Sequence, residues 1–287
     1  MQYPRISIVT PNFNQGQFIE QTILSVLNQN YPNLEYIVID GGSTDNSVEI
    51  IKKYEKHLTY WVSEKDKGQY HALQKGLSMA TGDIITYLNS DDIFAQNTFE
   101  IVTEIFSKFP QIEWLTGLGA RIDEKGRVVS VAGFERWNKY KYYTGNYKYI
   151  QQEGTFWKKS LWDKTGGYIS TDYMLASDME LWNRFFKVAQ LYTVNIPTGY
   201  FRLRSKDQKS LTQITQYNEE ALEILKKNIL SSFELKQIKN HQLSGALKKY
   251  PVLGRLGEKI KSEVDEFPLL VAFERMGQDF ILYNPEQ

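Results

Sequence analysis

Three places along the chain carry side chains suited to chemistry. Asp91 and Asp92 follow Asn89 and Ser90 directly behind an apolar run. Two carboxylates held side by side next to a buried strand repel, and a cation offsets that repulsion most directly. A divalent ion so held bridges two phosphates and neutralises a departing diphosphate. A second site is Asp40, which closes another apolar run immediately before Gly41-Gly42. The third is Asp178, which opens the segment Asp178-Met-Glu-Leu-Trp182, with Leu181, Trp182 and Phe185 on one helical face. The helix dipole favours the anion at that end, and such a carboxylate suits a general base. Each site also has a plainer local reading. Asn89 to Asp92 serves as a turn capping the next helix, Asp40 as part of a tight turn, and Asp178 as a helix cap. What favours chemistry is the joint position of the groups, and that depends on the elements behind them.

From residue 5 to about 119, short apolar runs alternate with segments of helical period, the pattern of βαβ units around a mostly parallel sheet. Strands are expected at residues 6–10, 34–40, 58–63 and 83–88, and helices within 18–27, 70–80 and 97–109. Proline stops the first helix before Tyr31-Pro32, and Gly41-Gly42-Ser43-Thr44 turns the chain and supplies a helix cap. In an open parallel sheet, ligands bind beyond the carboxyl ends of the strands. Thr10-Pro11-Asn12-Phe13-Asn14, Asp40 and Asn89 to Asp92 then share one edge. Beyond residue 113 the rhythm loosens, with a strand at 128–131 and a helix at 177–187. From 207 onward the residues are mostly helical with lysine-rich faces, interrupted at Pro251, Gly254, Gly257 and Pro268. The expected organisation is a nucleotide-binding half over about 1–112, an acceptor half over about 113–206, and a helical C-terminal extension over 207–287.

Composition removes several classes. Lysine plus arginine and aspartate plus glutamate number 34 each, so no basic field attracts nucleic acid. There is no cysteine, hence no disulfide, thiolate metal site or cysteine nucleophile. None of the three histidines, His57, His71 and His241, lies in an HExxH pattern, so a metal would be held by oxygen. The first strand runs into Pro11-Asn-Phe-Asn-Gln-Gly16, which is neither a GxGxxG dinucleotide turn nor a Walker loop. No signal peptide or membrane-length apolar run is evident, so a cytoplasmic location is expected. The basic stretch 247–261 would suit peripheral contact with the inner face of a membrane, although a solvated helical face accounts for the same pattern. Nothing in the sequence specifies an oligomeric state. Aromatic residues, 14% of the chain, cluster at 137–149 and 156–162 and suit either core packing or platforms for sugar rings.

Taken in order, Ser7-Ile-Val-Thr-Pro-Asn-Phe-Asn14, Val38-Ile-Asp-Gly-Gly-Ser-Thr-Asp45, Asp66-Lys-Gly68, Ala72 to Gly76, Gly82-Asp83, Leu88-Asn-Ser-Asp-Asp92, Gly166-Gly-Tyr168 and Asp178-Met-Glu-Leu-Trp182 resemble family 2 of the inverting glycosyltransferases, which has the GT-A fold. The resemblance spans roughly residues 6–204. It implies that Pro11, Phe13 and Asp40 line the nucleobase pocket, with Asp40 accepting a hydrogen bond from a base N–H. It also implies that Asp66 and Lys75 lie near the nucleotide, with Asn89 and Ser90 in the same loop as Asp91 on the ribose or phosphate side. Asp92 would ligate Mn2+ or Mg2+, and Asp178 would be the catalytic base. There are departures. Asn89 stands where the common Asp-x-Asp metal motif has its first acid, and Arg202 and Arg204 stand where many relatives carry Arg-x-His. Glu153 is a candidate acceptor contact.

The implied activity is inverting transfer of one sugar from a nucleoside diphosphate carrier, most plausibly uridine-based, to a glycan or lipid-linked acceptor in surface polysaccharide assembly. The alternative is a catalytically inactive partner subunit that binds the nucleotide sugar, against which the setting of Asp178 argues. A sugar nucleotidyltransferase would need a glycine-rich, arginine-containing loop where Pro11 to Gly16 stands.

Overall fold

The computed structural model describes residues 3–144, 150–205, 212–228, 230–250, 256 and 267–285. Its first half follows the alternating pattern: β1 (Ile6–Asn12), α1 (Ile19–Leu27), β2 (Leu34–Asp40), α2 (Ser47–Lys53), β3 (Tyr60–Ser63), α3 (Gln69–Leu77), β4 (Ile84–Tyr87), β5 (Ile93–Phe94) and α4 (Thr98–Lys108). Then come β6 (Trp114–Thr116), β7 (Ala120–Ile122), β8 (Val128–Val131), α5 (Lys139–Tyr143), β9 (Thr155–Lys158), α6 (Lys159–Lys164), α7 (Ser177–Phe186), β10 (Leu191–Thr193) and β11 (Gly199–Arg202). Two helices, α8 (Ile214–Lys226) and α9 (Ser232–Lys248), and a hairpin of β12 (Leu270–Glu274) with β13 (Asp279–Tyr283) complete the chain.

The central sheet has the order β10-β6-β9-β4-β1-β2-β3. Strands β1, β2, β3 and β4 are mutually parallel, while β9 runs antiparallel between β4 and β6, so the sheet is mixed. A smaller sheet, β5-β11-β7-β8, stands beside it. The strand order reverses between β1 and β4, and a parallel α/β sheet opens a crevice at such a point.

Both faces of the sheet are covered, which is why β1, β2 and β4 are apolar almost throughout. Ile6, Ile8, Tyr36 and Val38 point to α1, α2 and α4. Val9, Ile37, Ile39 and Ile85 point to α3, α6 and α7. The aromatic clusters resolve as core where they are described: Trp137, Tyr140, Tyr142, Trp157 and Trp162 are all buried, and Trp157 lies 5.8 Å from Trp182 of α7, centroid to centroid. Part of the first cluster, residues 145–149, lies outside the described residues.

Two expectations about the ends of elements are corrected. Ser43 and Thr44 do not cap α2, whose cap residue is Asn46. Their backbone N–H groups point to Asp40 and Asn14 instead. The C-terminal extension is not wholly helical. The hairpin β12-β13 continues the edge of the central sheet through Val194 opposite Val271, with Asn195 N–H donating to Val271 O at 2.9 Å. Ala221 and Ile224 of α8 are buried in the cluster that holds Trp182. The basic stretch 247–261 lies mostly outside the described residues, and among those described no helix is long and apolar enough to cross a membrane.

Candidate active site

The loop after β2 is built around a carboxylate that is fully used. Asp40 Oδ1 accepts from Asn12 Nδ2 at 2.6 Å and from Ser43 Oγ at 2.5 Å. Its Oδ2 accepts from the N–H groups of Gly42 at 3.1 Å and Ser43 at 2.9 Å, and from Ser63 Oγ at 2.6 Å. Burial alone would raise its pKa, but these donors outweigh it and hold Asp40 below the usual carboxylate range. With five donors on its two oxygens and no exposed surface, Asp40 fixes the shape of the loop.

The carboxylate that remains open at this end is Asp66. It rests against Gly41, where an added Cβ would stand 2.8 Å from Asp66 Oδ2. Its Oδ1 accepts from Gly68 N–H at 2.7 Å, and among the described residues Oδ2 has no hydrogen-bond donor. Phe13, just past β1, is 58% exposed, whereas Pro11 within the strand is buried. Lys75 forms an ion pair with Glu64 on the flank of the same loop.

The second group of carboxylates lies behind β4. Thr22 of α1 holds the turn, with Oγ1 at 3.0 Å from Ser90 O and 2.7 Å from Asp92 O. Asp92 is 1% exposed; its Oδ1 accepts Arg202 N–H at 2.8 Å, while Oδ2 has only a 3.4 Å contact with Asn89 Nδ2. Burial, then the charges of Asp91 and Glu153, push Asp92 well above the usual carboxylate range. Asp91 is raised by burial and drawn back by Arg204, whose Nε stands 3.3 Å from its Oδ2. The two arginines thus separate in role. Arg202, fully buried, spends its guanidinium on the carbonyls of Asp91, Asp123 and Glu124 and on Gln21, whereas Arg204 faces the Asp91 carboxylate.

Asp178 lies in the first turn of α7, one residue beyond its start, and the cap position is Ala176. Its Oδ1 accepts Met179 N–H at 2.8 Å and stands 3.4 Å from the Tyr70 hydroxyl. Asp178 keeps part of its surface open, yet the protein packed around it pushes its pKa up to about 6, against the opposing pull of Met179 N–H and Tyr70. A carboxylate so placed is ionised at neutral pH and close enough in basicity to take a proton.

The start of α3 links the two turns. Asp66 lies just before the helix, Gln69 Nε2 donates to Asn89 Oδ1 at 2.7 Å, and Tyr70 reaches Asp178. Asn89 in turn donates to Gln152 Oε1 at 3.1 Å, which ties the turn to the strand β9. Several of these partners had no signal in the sequence: Gln69, Tyr70, Gln152 and Ser63 are ordinary residues at ordinary spacing. Glu220 was missed as well. From α8 it accepts the backbone N–H groups of Leu175 and Ala176 at 2.9 Å each, and that of Met174 at 3.3 Å, so the extension holds the loop that presents Asp178.

Among the described residues no group of three or more His, Cys, Asp or Glu is placed to hold a metal. The donor set still fits a hard cation that completes its shell from a ligand. Asp92 Oδ2 carries only a long contact, and a magnesium-type ion is ordinarily held by one or two carboxylates together with substrate phosphates.

The mixed sheet with its flanking helices is a fold of the GT-A type, and sequence comparison agrees. Residues 7–207 match the family described as Glycosyl transferase family 2, and the chain belongs to that family. It is 32% identical over 194 residues to an uncharacterized glycosyltransferase of Mycobacterium tuberculosis, covering 67% of this chain and 72% of that one. It is 28% identical over 254 residues to the poly(ribitol-phosphate) beta-N-acetylglucosaminyltransferase TarP of Staphylococcus aureus, covering 84% and 77%. Among solved structures, S. aureus TarS 1-349 in complex with UDP superposes with a TM-score of 0.64 at 17% identity, covering 90% of this chain and 76% of that one. A mannosyltransferase from Pyrobaculum calidifontis in complex with GDP-Man and Mn2+ gives 0.62 at 18%, covering 91% and 74%.

Proposed function

We propose that this protein is an inverting glycosyltransferase that moves one sugar from a nucleoside diphosphate carrier, uridine-based, to a hydroxyl of a glycan or lipid-linked acceptor in surface polysaccharide assembly. One observation carries the reading: consecutive residues at the start of α3, Gln69 and Tyr70, reach the Asn89–Asp92 turn and Asp178. A phosphate-side carboxylate pair and a poised base are thereby set against the same helix end, which is the arrangement that in-line displacement at an anomeric carbon requires.

In this reading the base ring stacks on Phe13 and a base N–H donates to Asp66, the open carboxylate over Gly41. Asp92 would hold Mn2+ or Mg2+, which would supply positive charge to offset that of the leaving diphosphate. Arg204 adds a fixed positive charge on the same side. Asp178 accepts the proton of the acceptor hydroxyl as its oxygen bonds to the anomeric carbon; the bond from that carbon to the diphosphate oxygen breaks, and the diphosphate leaves with the electron pair. The names of TarP, a poly(ribitol-phosphate) beta-N-acetylglucosaminyltransferase, and of the putative teichuronic acid biosynthesis glycosyltransferase TuaG of Bacillus subtilis, 36% identical over 102 residues and 34% of this chain, support a polymer as acceptor.

The test is a panel of sugar nucleotides scored for Mn2+-dependent protection against thermal unfolding, followed by transfer with the donor that protects most. Protection by none of them would overturn the reading. Protection without turnover on any hydroxyl acceptor or water would favour a binding subunit.

A further inference from the structure

Among the described residues, one oxygen of a buried carboxyl, Glu153 Oε1, has no hydrogen-bond partner. Glu153 lies in the tight turn Gln152–Gly154 that leads into β9. Because β9 runs antiparallel to β4, this turn is brought to the edge where β4 ends and the Asn89–Asp92 turn begins. The backbone there is clamped. A Cβ on Gly199 would overlap the Glu153 carbonyl, and Gly154 O accepts from Thr198 Oγ1 at 2.8 Å and from Gly117 N–H at 3.2 Å. The neighbouring Gln152 is fully engaged, with Tyr87 O and with Asn89. Glu153 differs: it is 3% exposed, and its Oε1 accepts no hydrogen bond among the described residues. A buried polar oxygen is left unfilled by a fold only at a cost, and such groups mark places where a ligand completes the bonding.

The surroundings say which ligand. Glu153 and Asp92 bear on each other, and Glu153 is acted on as well by two further carboxylates, Asp91, on the diphosphate side, and Asp178, the base. The part of a donor that lies between its diphosphate and the base is the transferred sugar ring. We propose that Glu153 binds a hydroxyl of the transferred sugar and holds the ring between Asp91 and Asp178. This rests on the transferase reading above. Burial, reinforced by those two carboxylates, pushes the Glu153 pKa up to about 8, so the side chain presents both an O–H donor and a carbonyl acceptor at neutral pH, the pair that a sugar hydroxyl matches.

The experiment is calorimetric titration of wild type, Glu153→Gln and Glu153→Ala, in Mn2+, with the best donor from the panel and with the bare nucleoside diphosphate it carries. The expected result for Glu153→Ala is a loss of about ten-fold or more in donor affinity, with affinity for the bare diphosphate within about two-fold of wild type. Glu153→Gln, which keeps one donor and one acceptor in the same shape, should fall between. Unchanged donor affinity in both variants would overturn the proposal, including the case where an acceptor constant alone moves. So would a parallel loss for donor and bare diphosphate accompanied by a lower melting temperature, which would mark Glu153 as a structural group. If the wild type itself bound no sugar nucleotide, the transferase reading would fail first and this proposal with it, a result distinct from any difference among the variants.

Discussion

The hydroxyl of Tyr70 stands 3.4 Å from Asp178 Oδ1 and donates to Leu175 O at 2.9 Å, across more than a hundred residues of sequence. The contact with the carboxylate is long for an O–H···O bond, so Tyr70 chiefly fixes the loop and only secondarily steadies the anion. That phenol fastens α3 to the loop that carries Asp178.

Asp178→Asn keeps the size and the contacts of the side chain but removes its basicity. Transfer should fall by about a hundred-fold or more, the usual worth of a positioned general base, while nucleotide affinity by calorimetry stays near wild type. Near-wild-type turnover would remove the assignment.

The pKa of about 6 predicts an acid limb. Activity should rise as pH passes through 6 and level off above it, because the base works as the anion. The stability effect has the opposite sense. A carboxyl whose folded pKa is raised destabilises the fold once pH exceeds the unfolded value, so Asp178→Asn should melt higher than wild type at pH 7.5, with the difference vanishing toward pH 4. Tyr70→Phe removes a group that favours the anion and should move the acid limb of the rate profile upward.

Glu220→Ala deletes the acceptor for three backbone N–H groups ahead of α7. We expect a fall in kcat of about ten-fold from misplacement of Asp178, with donor affinity little changed. Equal losses in kcat and in nucleotide binding would instead indicate a general loosening of the fold.

Gly41→Ala places a Cβ 2.8 Å from Asp66 Oδ2. Asp66 must move, and affinity for UDP should drop about ten-fold with little change in melting temperature. Asp66→Asn should weaken UDP binding comparably, and UDP affinity unaltered in both variants would return the base pocket to another residue.

Asp92→Asn preserves an acceptor for Arg202 N–H while discharging a buried group whose ionisation the fold disfavours. The variant should be more stable than wild type without ligand at neutral pH, yet lose the extra thermal protection that Mn2+ adds to UDP. If Mn2+ raised the midpoint equally in both proteins, Asp92 would not be its ligand.

Most of the nucleotide half was legible in the residues because the signal there is local. An apolar run ended by a polar group, a helical period and a proline or glycine stop each depend on neighbours within a few positions, and β1, β2, β4, α3 and α4 all lie within a few residues of where those patterns put them. The same logic misassigned Ser43 and Thr44, since a hydroxyl near a helix start looks like a cap until a buried carboxylate competes for it. The hairpin β12-β13 was missed because residues 268–273 make a short apolar run whose meaning depends on the sheet edge it meets at Val194.

The sequence by itself determined that Asp40 and the Asn89–Asp92 turn would stand at the carboxyl ends of parallel strands, because side-chain order along a strand and the position of strand ends are properties of short segments. Only the tertiary structure decided which carboxylates remain free to act. Asp40 is consumed by Asn12, Ser43 and Ser63, Asp66 is left open by the missing side chain of Gly41, and Glu153 is buried with its Oε1 unpaired among the described residues. Those outcomes depend on donors that come from distant segments, and hydrogen-bond competition inside a packed fold cannot be read from spacing along a chain.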